Sequence, residues 1–173
     1  MKEIDLKNSV RSIPDFPKPG ILFRDITTLL SDKKAFRCAV DSLADKFKNK
    51  KIDTVVAVEA RGFIFGGALA HKLGAGFVPV RKKGKLPWQT ESVTYDLEYG
   101  KDTLEIHRDA ITPNKKILIV DDLLATGGTV KAVTDLIKQL KGKVSGIAFL
   151  IELKDLKGKE KLKGYPIYSL IKY

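Results

Sequence analysis

Apolar and polar positions along this chain follow two periods. Short, largely apolar runs occupy 54–58, 77–81, 117–121, 144–151 and 166–170. Runs of that length, rich in branched residues, predict strands buried on both faces. Between them a 3.6-residue period predicts helices. Phe36, Val40, Leu43 and Phe47 share one face of a segment over 33–48, with Ser31 or Asp32 placed to cap it. A second helix is predicted over 62–73, closed by Gly74, and a third over 130–140. Strand and helix in alternation predict an α/β fold, a mostly parallel central sheet flanked by helices.

Two regions break the alternation. Residues 4–10 predict a short amphipathic helix, after which Pro14, Pro17, Pro19 and Gly20 forbid regular structure. Residues 82–108 contain Gly84, Pro87 and Gly100 and few apolar residues in series. They read as a long excursion with a weak hairpin around Thr103, Leu104, Glu105 and Ile106. An excursion of that length inside a compact domain is typically functional, as a lid. With no internal repeat or linker, residues 1–173 are expected to form one domain.

Composition narrows the class. Hydrophobic residues make up 43% of the chain and charged residues 31%, as in ordinary globular domains. No segment approaches the roughly 20 apolar residues that span a bilayer. Met1 to Asp5 lack an apolar h-region, so no signal peptide is expected. Cys38 is the only cysteine, which excludes an intrachain disulfide and suits a reducing, cytoplasmic setting; it is expected as a small core residue in a helix. The net charge of +11 suits either nucleic acid or a small polyanion. Much of the excess is scattered lysine, as over 154–163, with no stacking aromatics between, so neither nucleic acid nor a membrane is expected as a partner. His71 and His107 have no metal-ligand spacing; His71 is expected on the helix over 62–73.

The chemistry concentrates in 117–129. The apolar run Ile117-Leu118-Ile119-Val120 ends in Asp121 and Asp122, and Leu123-Leu124-Ala125-Thr126-Gly127-Gly128-Thr129 leads into a helix. Ligands of open α/β sheets bind at the carboxyl ends of strands, and a helix N-terminus offers N–H groups to an anion. Gly127 and Gly128 let the backbone approach a phosphate, and Thr126 and Thr129 add hydroxyls. Carboxylates beside such a cradle suit sugar hydroxyls, Mg²⁺, or both. The parts describe a ribose-phosphate site. Two further strand ends carry cations. Glu59-Ala60-Arg61-Gly62 follows the strand over 54–58, and Arg81-Lys82-Lys83-Gly84-Lys85 follows that over 77–81. Taken alone, the first is also compatible with a salt-bridged helix start and the second with solvated surface.

The run Asp121 to Thr129 resembles the phosphoribosyl-diphosphate (PRPP) signature of the type I phosphoribosyltransferases, in the version carried by the adenine-specific branch. The resemblance extends from about Phe16 to Ile151 and implies a Rossmann-like core with an N-terminal base-binding hood over 1–30 and a mobile lid over 82–108. It implies purine salvage: transfer of 5-phosphoribosyl from PRPP to adenine, giving AMP and diphosphate. By resemblance, Ala125, Thr126, Gly127, Gly128 and Thr129 hold the 5-phosphate. Asp121 and Asp122 hold ribose hydroxyls and favour positive charge at the anomeric carbon, with Mg²⁺ arriving on PRPP near them. Arg61, Arg81, Lys82 and Lys85 bind diphosphate. Phe23 and Leu123 sandwich the purine, and backbone groups near Leu22 and Arg24 read its edge. In the Leu-Glu-Tyr-Gly element, Glu98 handles the proton on the purine imidazole nitrogen and Tyr99 helps close the lid. The family also implies a non-proline cis peptide beside Ala60 and a homodimer.

Departures are few: Trp88 stands where a small residue is commoner, and Glu59-Ala60 replaces an acid-serine pair. Two other readings are open. The 6-oxopurine enzymes carry an aspartate where this chain has Ala125, although xanthine enzymes share a small residue there. A PRPP-sensing regulator that binds nucleic acid would need an added module and no lid glutamate.

Overall fold

The computed structural model describes residues 5–96 and 100–173. The chain divides into two units, Met1–Ser42 and Leu43–Tyr173.

In the first unit, residues 5–10 form a turn rather than the expected helix. The Asp5 carboxylate accepts from the Lys7 N–H at 3.0 Å and from Asn8 Nδ2 at 2.7 Å, so the side chain binds its own turn. No second turn follows, because the chain passes directly into β1 (Arg11–Ile13), antiparallel to β2 (Phe23–Asp25). The proline-rich link between them is irregular, with a cis Phe16–Pro17 bond. A short α1 (Thr27–Ser31) precedes α2 (Lys33–Phe47). Of the two candidate caps Asp32 is the one used: its Oδ1 accepts from the Lys34 and Ala35 N–H groups at 2.7 and 2.9 Å. Cys38, on α2, is partly buried.

Asp25 fixes this unit's ribbon. It accepts from the Thr27 N–H at 2.9 Å and pairs with Arg11 Nη2 at 2.6 Å. The Thr27 N–H, then Arg11, lower its pKa to about 2.

The second unit is a sheet with strand order β5-β6-β4-β3-β7-β8-β9, comprising β3 (Thr54–Val58), β4 (Gly76–Lys82), β5 (Thr90–Asp96), β6 (Lys101–His107), β7 (Lys116–Leu124), β8 (Lys143–Glu152) and β9 (Ile167–Lys172). Strands β4, β3, β7, β8 and β9 run parallel. The crossovers include α3 (Gly62–Leu73) and α4 (Gly128–Gln139). Gly74 ends α3 at φ 65°, its N–H reaching back to the Ala70 and His71 carbonyls; His71 itself is exposed. Val56, Ile117, Ile119, Val133, Leu136, Ile147 and Phe149 form the core on one face. This mostly parallel α/β architecture is the one the apolar runs predict.

Two differences bear on the site. Strand β7 does not end at Asp121 but runs on through Asp122 to Leu124, because Leu123 and Leu124 stay in register with Ile151 and Glu152 of β8. The excursion is a regular hairpin: β5 and β6 pair from Thr90↔His107 to Asp96↔Lys101, and β6 joins β4 through Arg81↔Glu105.

Candidate active site

The carboxyl ends of β3, β4 and β7 surround a cleft of about 380 Å³, lined by Glu59, Arg61, Lys82, Tyr95, Asp121 and Asp122 among others. Each group arrives there for a local reason. Asp121 and Asp122 sit on β7, so their side chains start on opposite sides of the pleat. The Asp122 N–H donates to Asp121 Oδ1 at 2.9 Å, which folds the Asp121 carboxyl back toward its neighbour's backbone. Gly62, at the head of α3, brings that helix against β7: a β-carbon there would stand 2.8 Å from Asp121 Oδ1. The neighbouring Arg61 thereby reaches Asp122, Nε to Oδ2, at 2.9 Å. The Glu59–Ala60 bond ahead of it is cis, as the resemblance implies.

Burial, then the Asp122 carboxylate, push Asp121 well above the usual carboxylate range. Burial raises Asp122 too, against the pull of Arg61. In this partly enclosed cleft each carboxyl thus disfavours ionisation of the other. A positive centre placed beside them would favour the doubly ionised form.

The turn after β7 makes a second, smaller concavity of about 60 Å³, lined by residues 123–130. Gly127 lies at φ 80° and α4 starts at Gly128 with no side chain capping it, so the first N–H groups of the helix face an anion's place. Thr129 lines both concavities and its Oγ1 lies 3.4 Å from the Tyr95 hydroxyl of the hairpin.

The basic segment closing β4 is organised by an acid not assigned from sequence. Glu59 takes the Lys82 N–H on Oε1 at 2.7 Å, Arg81 Nε and Nη2 on Oε2 at 3.0 Å each, and Lys85 Nζ at 3.3 Å. Burial raises its pKa, but these donors outweigh burial and hold it below its ordinary value. Buried Glu105 accepts from the Gly84 N–H at 2.9 Å on the other side of the turn. Lys82 turns its ammonium to Asp102 Oδ2 at 3.0 Å, and that bond, then its charge, raises the lysine pKa.

The structure therefore brings Arg61, Lys82, Asp121, Asp122, Leu123, Ala125 and Thr129 to one cleft, with Thr126, Gly127 and Gly128 in the adjoining loop. Arg81 and Lys85 are held at its side by Glu59. Leu22, Phe23 and Arg24 belong to the first unit, where the Phe23 ring meets that of Phe16 edge-on at 5.1 Å and Leu22 is 47% exposed. Glu98 and Tyr99 lie outside the described residues. Sequence reasoning missed Glu59, Asp102 and Tyr95 as site residues. Only Glu59 carried a signal, as the acid directly preceding Ala60-Arg61 at a strand end.

A carboxylate pair, an uncapped helix N-terminus and converging cations at one sheet edge are the groups a sugar phosphate calls for. Residues 27–172 match the phosphoribosyl transferase domain, and the chain belongs to that family. Within it, similarity is high to proteins of one specificity. The adenine phosphoribosyltransferase of Clostridium perfringens is 59% identical over 170 residues, 98% of this chain and 99% of that protein. That of Acidobacterium capsulatum is 59% identical over 97% of this chain and 93% of its own. The crystal structure of adenine phosphoribosyltransferase from Thermoanaerobacter pseudethanolicus superposes with a TM-score of 0.95, at 54% identity and 98% coverage of both chains. The Saccharomyces cerevisiae enzyme, complexed with an imino-altritol bisphosphate and adenine, superposes at 0.90 with 42% identity, covering 96% of each chain.

Proposed function

We propose that this chain transfers the 5-phosphoribosyl group of PRPP to adenine, releasing diphosphate and forming AMP. The observation that carries the reading is the Asp121–Asp122 pair beside the uncapped head of α4, with Arg61 across the cleft. The near full-length likeness to adenine phosphoribosyltransferases supports the base.

The protein works by positioning and electrostatics. Residues 125–129 hold the 5-phosphate. Asp121 and Asp122 accept the ribose hydroxyls and stabilise positive charge developing at the anomeric carbon. Arg61 and Lys82 meet the departing diphosphate, with Arg81 and Lys85 beside them. Leu123, on the cleft wall, meets the base. Glu98 moves the proton on the imidazole nitrogen, and Tyr99 helps close the lid, which excludes water from the reacting carbon.

The donor set suits Mg²⁺ carried in on PRPP. Among the described residues no group of three or more His, Cys, Asp or Glu side chains forms a metal cage, and Mg²⁺ is commonly held by one or two carboxylates plus substrate phosphate. Asp121 and Asp122 are the carboxylates that would hold it, and it would neutralise diphosphate charge. The chain works as a cytoplasmic homodimer in this reading. The exposed Ile64 of α3 and Phe77 of β4 support self-association, and among the described residues no helix is long and apolar enough to cross a membrane.

The test is incubation with PRPP, Mg²⁺ and each purine base in turn. AMP from adenine, with hypoxanthine turned over less efficiently by roughly 10⁴-fold in kcat/KM, is expected of a site that hydrogen-bonds the 6-amino group. Comparable use of both bases, or no nucleotide at all, overturns the reading.

A further inference from the structure

The loop at 125–129 rests on a second stretch of backbone that lies outside the signature motif. After β8 the chain makes two short 3₁₀ turns, Lys154–Leu156 and Gly158–Leu162. Gly158 is buried. A β-carbon on it would overlap the Ala125 carbonyl oxygen and stand 2.8 Å from Leu124 Cδ1 and 3.1 Å from the Ala125 carbonyl carbon. The contact is reciprocal: a β-carbon on Gly127 would overlap the Gly158 carbonyl oxygen and stand 3.2 Å from its carbon. Two bare backbones lie against each other.

The two glycines answer to different demands. Gly127 lies at φ 80°, a conformation that favours glycine by itself. Gly158 has no such φ, so its missing side chain answers to space alone. The turn cannot readily withdraw. The Leu153 N–H donates to the Leu124 carbonyl at 2.9 Å, Lys159 Nζ pairs with Glu152 Oε2 at 2.7 Å, and Leu162 is fully buried.

We propose that Gly158 is a positioning residue for the reaction: its bare backbone sets the height of loop 125–129, so that the N–H groups at the head of α4 converge on the 5-phosphate of PRPP. A methyl group there pushes the Ala125 carbonyl, and the phosphate loop moves with it. The proposal rests on reading 125–129 as the phosphate cradle. It predicts a defect confined to ligands that carry the 5-phosphate, because diphosphate is met by Arg61 at the head of α3 and Lys82 at the end of β4.

The test compares the parent with Gly158→Ala, using ribose 5-phosphate and diphosphate as separate probes and AMP formation as the activity. The expected result is a folded variant whose KM for PRPP and Kd for ribose 5-phosphate rise by at least about tenfold, since small misplacements of binding groups are costly. Diphosphate affinity and the KM for adenine stay near the parent values. Adding Lys159→Ala frees the far side of the turn and should restore part of the ribose 5-phosphate affinity. Unchanged ribose 5-phosphate affinity in Gly158→Ala overturns the proposal, as does an equal loss for both probes. If Gly158→Ala does not fold, Lys159→Ala alone decides: weaker ribose 5-phosphate binding with unaltered diphosphate binding supports the buttress, and no change overturns it. A parent that forms AMP but binds ribose 5-phosphate no better than its Thr126→Ala, Thr129→Ala variant removes the cradle reading itself, and the proposal with it. A parent that forms no AMP removes the enzyme reading.

Discussion

Glu59→Gln separates charge from shape at the point where the basic segment is tied down. The glutamine can still accept the Lys82 N–H, but its amide nitrogen meets Arg81 and Lys85, which are donors themselves. A hydrogen bond to a charged group contributes about 1.5–3 kcal/mol, and breaking a buried ion pair from one side costs about 3–5 kcal/mol. Here the carboxylate is 7% exposed while Arg81 is 35% and Lys85 50% exposed, so water takes up much of the cations' loss. The net cost should be about 2 kcal/mol, a fall in Tm of about 4–8 °C for a chain of this size. The pH dependence gives the sign. Glu59 has a folded pKa below its ordinary 4.5, so its stabilisation is complete above that value and is lost as pH falls through the folded pKa. Thermal melts of both proteins from about pH 7 to about pH 3 should show a Tm gap that narrows in acid. A gap under about 1 °C at neutral pH, or one that stays as wide in acid, refutes the view that the carboxylate charge holds this segment.

Three further outcomes are expected. Asp121→Asn with Asp122→Asn should melt close to the parent, since relief of repulsion between the two carboxyls offsets loss of the Arg61 pair, yet lose most AMP formation; full activity on adenine would leave the pair a structural role. Asp25→Asn should lower stability at neutral pH by about 1 kcal/mol, since water screens the half-exposed Arg11 partner, and the difference should vanish as pH falls from 3.8 to about 2 in denaturant titrations. Glu98→Gln should reduce kcat by roughly 10²–10⁴-fold while leaving PRPP affinity nearly unchanged; an unaltered kcat would take Glu98 out of the mechanism.

What could be read from the sequence depended on how local the cause was. Strand β3 and helix α3 were legible because an unbroken apolar run and a terminal glycine need no partner to be interpreted. The end of β7 was not, since Leu123 and Leu124 remain strand only through their pairing with β8. The hairpin looked weak because one face of β5 is exposed and its inward positions are few; the ladder to β6 supplies what the pattern lacks. Over residues 5–10 the helical pattern yielded to a turn bound by Asp5. The signature motif named residues that the structure gathers at one cleft and its adjoining loop. Glu59 and Asp102 stayed hidden because their partners, Arg81 with Lys85 and Lys82, lie about 20 or more residues away along the chain, and no spacing rule links them.

The strand order places β3 and β7 side by side, with the chain leaving β3 toward β4 on one side and returning to β7 on the other. Helices that follow adjacent strands in opposite directions leave a crevice between their starts. The sugar-phosphate seat is thus a gap that chain connectivity opens, and no bulky side chain has to be sacrificed to make it. Residues 58–62 and 120–129 can stay fixed while the segments appended around them are exchanged. A chimera that exchanges the β5–β6 strands with those of a relative keeps the two walls built by residues 58–62 and 120–129 and alters only the side formed by Tyr95 and Asp102, so that side can drift across generations without the gap being rebuilt.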